Sequence, residues 1–205
     1  GDYTYYENVD ENGEKDGTIT ILDFTNEKAT KVIIPETING LKVTKIGNYA
    51  FSGCTNLQHV YYLGTTQPTS IGNDVFPSQI TTIKVKKGYG SSTFNERIVS
   101  KMSESTMNKV KYFLDEEMGL FVVYGTGNMG DYYYSSCSET GCTTAPWKEQ
   151  RKSIKHVIIE YGVTNVASAA FYWDNMEGGL TVPENYYTNI VNVRISNTVK
   201  SIGQF

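Results

Sequence analysis

The chain has 205 residues, a formal net charge of −4 and 39% hydrophobic residues. It contains no run of about 18 apolar residues that could span a membrane, and its negative charge argues against the basic surface that binds nucleic acid. The aliphatic residues are unevenly chosen, with 16 Ile and 17 Val against 7 Leu and 6 Ala. Because β-branched side chains favour strands, this composition predicts a mainly β fold.

The first predicted elements are two strands, residues 3–9 and 18–24. The acidic loop between them contains Asn12-Gly13, a dipeptide typical of hairpin turns. We therefore predict an N-terminal β-hairpin. The loop pattern Asp10-x-Asn12-Gly13-x-x-Asp16 lacks the 12-residue spacing and the bidentate Glu of a calcium loop, so no metal site is predicted.

An apolar pattern at positions i, i+3 and i+5 recurs five times after this hairpin. The last two positions lie two residues apart, so they share one face of a short strand, and we expect that face to point into the core. The copies are Ala29-x-x-Val32-x-Ile34, Leu57-x-x-Val60-x-Tyr62, Ile80-x-x-Ile83-x-Val85, Ile154-x-x-Val157-x-Ile159 and Ile190-x-x-Val193-x-Ile195.

A second element follows most of these strands: an aliphatic residue, Gly, two variable residues, a small residue and Phe. Gly permits a tight or left-handed turn, and the Phe is expected to fill the space between stacked coils. One coil cannot bury its own apolar face, so neighbouring coils must stack. The copies are residues 46–51, 71–76, a degenerate copy at 166–171 and a shortened copy at 202–205.

These motifs resemble the BspA-type leucine-rich repeat, most clearly in Val32-Ile33-Ile34-Pro35 and Ile46-Gly47-x-x-Ala50-Phe51-x-Gly53-Cys54-x-Asn56-Leu57-x-x-Val60. In the second half, Gly125–Tyr132, Ala145-Pro146-Trp147, Ile154–Ile159 and Gly162–Val166 are similar to the opening module of many BspA-like proteins. The resemblance spans residues 17–87 and 118–205. It implies a right-handed leucine-rich-repeat solenoid with short strands and little helix.

The predicted organisation, a hairpin cap followed by repeats, occurs twice. A short helix is expected around residues 92–102, and the polar stretch 103–108 is expected to be the junction. Residues 109–114 and 119–124 predict a second hairpin. We thus predict two modules, residues 1–105 and 106–205, the second cut short at its C-terminus where the repeat pattern calls for a further Ala-Phe.

Three patterns that could carry chemistry favour structural roles. Gly125-x-Gly127-x-x-Gly130 matches a dinucleotide fingerprint, but no amphipathic helix follows to hold a pyrophosphate, so a glycine-rich bend is expected. His59 and His156 occupy equivalent repeat positions, and no Gly-x-Ser-x-Gly nucleophile elbow accompanies them. Asp115, Glu116 and Glu117 lie in a predicted turn, and nothing selects a glycosidase pair among them. The sequence therefore predicts no enzyme and no cofactor.

The three cysteines divide into two groups. Cys54 is expected to point inward as a small hydrophobe. Cys137 and Cys142 flank a short polar loop, and two interpretations stay open: a small disulfide ring in an oxidising compartment, or two free thiols. Their spacing is not that of a zinc or thioredoxin-like motif.

The outward positions of the repeat strands form the candidate binding surface, because solenoids bind partners on such extended faces. The BspA-like resemblance implies a secreted or surface-exposed bacterial adhesion module, its signal peptide removed, that recognises a host, matrix or other extracellular protein. The alternative is a structural spacer or carbohydrate-contacting appendage of a larger surface protein. The sequence leaves the oligomeric state open. The candidate residues are His59, Tyr61, Thr82, Lys84, His156, Ile158, Asn192 and Arg194, with Lys31 and Ile33 in the first strand.

Overall fold

The computed structural model describes residues 2–130, 145–167, 170–171 and 189–203, and nearly all regular secondary structure in this part of the chain is strand. Its helical content is a 3-10 turn at Lys148–Gln150. The mainly β class is therefore confirmed. The chain divides into two compact units, Gly1–Ser103 and Glu104–Phe205.

Unit 1 contains two five-stranded sheets. In the first, the order is β1-β2-β5-β4, and β7 pairs with β5; in the second, it is β3-β6-β8-β10-β9. The strands are β1 (Tyr3–Val9), β2 (Lys15–Phe24), β3 (Lys31–Ile34), β4 (Thr37–Ile38), β5 (Leu41–Ile46), β6 (His59–Tyr62), β7 (Ser70–Ile71), β8 (Thr82–Val85), β9 (Thr93–Phe94) and β10 (Arg97–Lys101).

The predicted N-terminal hairpin is present as the antiparallel pair β1–β2. Its turn is closed by Asp10, whose Oδ1 accepts hydrogen bonds from the Asn12 and Glu14 amides at 2.8 and 3.0 Å. These bonds lower the pKa of Asp10 below its usual value, and the bond from the Glu14 amide has the largest effect. The acidic loop is thus a hairpin turn, and β2 extends the first sheet by pairing in parallel with β5.

The repeated apolar pattern forms parallel strands in register. Val32 pairs with Val60, and Ile34 pairs with Tyr62, which in turn pairs with Val85. All five side chains belong to the buried core of unit 1. The inward direction predicted for these repeat positions is therefore confirmed in unit 1.

The second repeated element supplies Phe51 and Phe76 to a column of aromatic rings in the same core. Phe24, Phe51, Phe76 and Phe94 follow one another with centroid separations of 5.9, 5.2 and 6.2 Å. Phe51 and Phe76 are stacked at 10°. Each Phe therefore bridges two neighbouring layers, which is the filling role that the repeat predicts.

The glycines of this element serve close approach rather than a left-handed turn. A Cβ on Gly72 would lie 2.5 Å from the Asn48 amide nitrogen, so only Gly lets the two segments pack at this distance. The positive φ angles fall two residues later, at Tyr49 (62°) and Asp74 (47°). The left-handed backbone of this element thus lies two residues after each glycine.

The helix expected around residues 92–102 is absent, and the hairpin β9–β10 stands in its place. β10 pairs in parallel with β8 and continues the repeat sheet. Phe94 is fully buried, while the Arg97 guanidinium lies 5.2 Å from the Phe76 ring centroid and its Nε donates to Ile80 O at 2.7 Å. The segment forms strands rather than a helix because β10 pairs with the edge of β8 and because Phe94 is buried in the core.

The described part of unit 2 contains two further sheets, with orders β11-β12-β13-β15-β17 and β14-β16-β18. The second predicted hairpin is the antiparallel pair β12–β13, and β13 then pairs in parallel with β15. The strands are β11 (Ser105–Met107), β12 (Val110–Asp115), β13 (Leu120–Gly125), β14 (Gly127–Asn128), β15 (His156–Ile159), β16 (Val163–Val166), β17 (Asn192–Ile195) and β18 (Ser201–Ile202).

The repeat register continues into unit 2, but the residues predicted to point inward on its last repeat strand, β17, are not buried. Val157 and Ile159 are buried in the core. Their register partners Val193 and Ile195 are 55% and 41% exposed, although the sequence pattern predicts both as inward core residues. In the described residues no strand lies beyond β17 in this sheet, so the inward face of β17 has no neighbouring strand to pack against.

The glycine-rich segment is a bend, as expected. Gly125, Gly127 and Gly130 all have positive φ, and β13 ends and β14 begins within this stretch. Gly127 pairs in parallel with Val163, so the bend carries the chain between the two sheets. Cys137 and Cys142 lie outside the described residues, as do Ser168 and Ala169 of the degenerate repeat.

Candidate functional site: the outward sheet faces

The alternation of the repeat strands sets one face of the second sheet of unit 1 against the core and leaves the other face outward. The eight outward residues on β3, β6, β8 and β10 are here called the unit 1 sheet face. They form two rows across the strands. The first row is Lys31, His59, Thr82 and Ile98, and the second is Ile33, Tyr61, Lys84 and Ser100.

The structure thus brings together all four predicted site residues of unit 1, but they differ in exposure. Thr82 is exposed, and His59 and Lys84 are half-buried. Tyr61 is fully buried, although it was expected to be an exposed contact residue. Tyr61 lies on the outward side of the alternation, but alternation specifies direction and does not specify exposure.

Lys84 and Tyr61 are neighbours on this face. The Lys84 Nζ lies 5.4 Å from the centroid of the Tyr61 ring, within the range of a cation–π interaction. The contact directs the ammonium group along the sheet face. Tyr61 therefore contributes to this face by positioning the Lys84 ammonium group, because its own ring is buried.

The unit 1 sheet face carries two lysines and one histidine and no carboxylate, in a chain whose net charge is −4. The buried Lys86, which follows β8, lies 3.1 Å from the Glu36 carboxylate, so its charge is matched within unit 1. Lysine side chains on such a face favour partners that present carboxylate or other anionic groups.

Two residues of this face, Ile98 and Ser100, were missed by sequence reasoning. They lie on β10, the segment expected to be helical. Ile98 is 67% exposed and ends the first row. The alternation Arg97-Ile98-Val99-Ser100-Lys101 is the signal that could have found them, since Val99 packs against the core and its neighbours point away.

The predicted residues of unit 2 lie on a separate sheet. His156 pairs with Asn192, and Ile158 pairs with Arg194, so the four share the outward face of β15 and β17. Asn192 and Arg194 are exposed and Ile158 is buried. The outward neighbours on β13, Leu120 and Val122, are fully buried and were not predicted. Their signal is the continuous run of five apolar residues at 120–124, which is typical of a strand buried on both faces.

A polar groove of about 470 Å³ lies in unit 1, where the chain enters the repeat strands. It is built from the residues that flank the first apolar position of three successive repeats. Gln79 ties two of them together, because its Nε2 donates to Thr55 O at 2.9 Å and to Leu57 O at 3.3 Å. The lining residues are Lys28, Thr30, Thr55, Asn56, Leu57, Gln58 and Gln79.

The structure gives the following locations for the residues considered above for catalysis and metal binding. His59 and His156 lie in different units. Asp115 accepts a hydrogen bond from the Met118 amide at 3.2 Å and so closes the β12–β13 turn. Cys54 is buried, as expected, and burial raises the pKa of its thiol. No cluster of three or more metal-ligating residues occurs among the described residues. In the same part of the chain, no helix is long and apolar enough to cross a membrane.

Parallel strands at a repeat spacing, most of them followed by an aliphatic-glycine element, are typical of leucine-rich repeats. The family model of the BspA type leucine-rich repeat region matches residues 18–115 in six copies. The resemblance seen in residues 17–87 is thereby confirmed, and residues 18–115 are BspA-type leucine-rich repeats. The solenoid form of the stacking stays a prediction.

One solved structure is similar over most of the chain. It is a leucine-rich cell surface protein from Faecalibacterium prausnitzii A2-165, with 15% sequence identity and a TM-score of 0.35. The similarity covers 98% of this chain and 43% of that protein, so the chain spans less than half of its length. No curated protein matches the chain significantly.

Proposed function

We propose that the chain is a secreted or surface-exposed, non-enzymatic recognition module that binds an extracellular protein through the unit 1 sheet face. The observation that carries this proposal is the pair of in-register rows on four strands, with lysines and no carboxylate. The BspA-type repeats support a surface location.

The physical basis is complementary charge on a rigid frame. Lys31 and Lys84 stand on adjoining rows of a sheet whose other face is packed in the core. Because strand pairing fixes their spacing, binding an acidic partner requires little ordering of the backbone. Ile98 adds an exposed apolar contact at the end of the first row.

The test is binding of extracellular-matrix and host-surface proteins to the intact chain and to Lys84→Glu. Reversing one charge on the face should weaken binding by roughly tenfold, about 1.4 kcal/mol. Lys45→Glu is the matched control, since Lys45 is an exposed lysine on β5 in the other sheet of unit 1. Equal loss in both variants, or none in either, contradicts a role for this face.

The polar groove favours a second candidate, a carbohydrate-contacting appendage. Amide and hydroxyl side chains are suitable partners for sugar hydroxyls, and Asn56 and Gln58 line the groove with exposed side chains. A glycan array should then show binding that Gln58→Ala reduces and Lys84→Glu leaves intact. The opposite pattern, with protein binding lost only in Lys84→Glu, supports the sheet face.

A further inference from the structure

Tyr49 is the most exposed tyrosine among the described residues, with a relative exposure of 59%. It lies in the aliphatic-glycine element of residues 46–51, and its φ of 62° is in the left-handed region. Side chains other than those of Asn and Asp are disfavoured in this backbone conformation, which suits glycine. Neither core packing nor backbone preference therefore accounts for a tyrosine at this position.

The carboxylate residue Asp74 lies beside Tyr49 in the next copy of the same element. The Tyr49 amide donates to Asn73 O at 3.0 Å. This bond belongs to the parallel register of residues 46–51 with residues 71–76, so Tyr49 and Asp74 occupy equivalent positions in neighbouring layers. Asp74 is also exposed and also has a positive φ, of 47°.

A second exposed carboxylate residue, Asp23, lies on the other side of Tyr49, next to the exposed side chain of Leu22. The Asp23 Oδ1 accepts a hydrogen bond from the Phe24 amide at 2.8 Å, which orients the carboxylate. The Leu22 Cδ2 lies 3.8 Å from the position that a Cβ on Gly47 would take. The backbone bonds that set this segment beside residues 47–50 run from Gly47 N to Ile21 O, at 2.7 Å, and from Phe24 N to Ala50 O, at 3.0 Å.

The four exposed side chains of Leu22, Asp23, Tyr49 and Asp74 are here called the Tyr49 ridge. Within the described ranges of the chain, neither Asp23 nor Asp74 forms an ion pair. An aromatic ring attracts cations to its face, and the carboxylates add opposite charge beside it. Arginine and lysine also carry apolar stems that pack on aliphatic surface while the charged group stays in water. The ridge offers a contact for each part of such a side chain.

We propose that the Tyr49 ridge binds an arginine or lysine side chain from a basic segment of a partner polypeptide. The ring accepts the cationic group on its face, Asp23 and Asp74 balance its charge, and Leu22 contacts the aliphatic stem. The lysines of the unit 1 sheet face favour acidic partners instead. The ridge is therefore a second recognition site of opposite preference, and it does not depend on the function proposed above.

An NMR titration of the intact chain with the peptide acetyl-Gly-Arg-Gly-amide tests this proposal. The signals of Tyr49 and Asp74 should shift, and the shifts should diminish as salt is added. Tyr49→Gly should weaken binding by about two- to fivefold, which is the contribution of an exposed cation–π contact. Asp74→Asn should weaken it by about twofold. Both replacements suit a left-handed backbone, so the fold should be retained.

A neutral peptide and a second tyrosine supply the controls. The same peptide with citrulline in place of arginine keeps the shape without the charge, and it should not shift the Tyr49 signals. Tyr6→Ala should leave binding unchanged, because Tyr6 is 50% exposed but the neighbouring Glu7 carboxylate is paired with Lys15 at 3.0 Å. The proposal is overturned if the arginine peptide causes no shift, if the citrulline peptide binds equally, or if Tyr6→Ala and Tyr49→Gly weaken binding alike.

Discussion

Removal of the Phe51 ring should strongly destabilise unit 1. Phe51 is almost fully buried in the middle of the aromatic column. Its centroid lies 5.2 Å from that of Phe76, 5.9 Å from that of Phe24 and 6.4 Å from that of Tyr3. Phe51→Ala therefore removes contacts between three neighbouring layers at once.

The expected cost follows from burial and ring contacts. Phe→Ala in a core costs about 3–5 kcal/mol, and ring pairs add to the loss. We expect about 4 kcal/mol for Phe51→Ala. A domain of this size has a total stability of about 5–15 kcal/mol, so the variant should stay folded only narrowly. At a urea m-value of about 1.5 kcal/mol/M, the unfolding midpoint should fall by about 2.7 M.

Urea unfolding of the full chain, followed by hydrogen exchange of peptides from β3 and β6, measures this loss within unit 1. Phe51→Leu keeps most of the apolar volume and should cost about 1.5 kcal/mol or less. Tyr49→Gly, at an exposed side chain with φ of 62°, should cost nothing. A loss below about 1 kcal/mol for Phe51→Ala would refute the column as a major source of stability.

Three further predictions concern turns and close contacts in unit 1. Arg97→Met should cost about 2 kcal/mol in urea unfolding, because Arg97 bonds Ile80 O and stacks over Phe76. Gly72→Ala should cost about 1–3 kcal/mol by the same assay, since its Cβ would overlap the Asn48 backbone. The Asp10 carboxyl should titrate below 3.8 by NMR, and the turn should weaken as pH falls through that lowered pKa.

Each of these predictions has its own check. Gly88→Ala is the partner of Gly72→Ala, since nothing lies within 4 Å of a Cβ at Gly88, and equal effects would contradict the steric argument. For Arg97→Met, a loss of unfolding free energy below about 0.5 kcal/mol would show that the β9–β10 hairpin is stable without the Arg97 contacts. For Asp10, stability contributed by a lowered pKa is present above the unfolded value and lost in acid. A midpoint at or above 3.8 would contradict the turn bonds.

The local sequence pattern was sufficient to predict those strands that pack against the equivalent strands of neighbouring repeats. The spacing in Leu57-x-x-Val60-x-Tyr62 and its repeats predicted the core side of three strands in unit 1. It succeeds because stacking places each inward residue beside its own equivalent. The hairpin turn at Asp10 was equally predictable from the sequence, since its hydrogen bonds join residues at most four apart in the chain.

The candidate surface was predicted only in part. Alternation assigned Tyr61 and Lys84 to one face, but Tyr61 is buried and Lys84 is not fully so. Ile98 was missed because the segment around it has no repeat motif. Its strand forms because β8 offers a parallel edge and the core accepts Phe94, and neither partner is close in sequence.

The sequence by itself determined the strand class, the repeat register and the repeat type of residues 18–115, because these depend on periodicity and on residue type at short range. The tertiary structure decided which pattern positions are covered. Val60 and Val193 occupy equivalent repeat positions, yet Val60 is fully buried between neighbouring strands and Val193 is 55% exposed at an open edge. Burial depends on the presence of a neighbour on each side, and a repeat pattern is the same whether or not that neighbour is there.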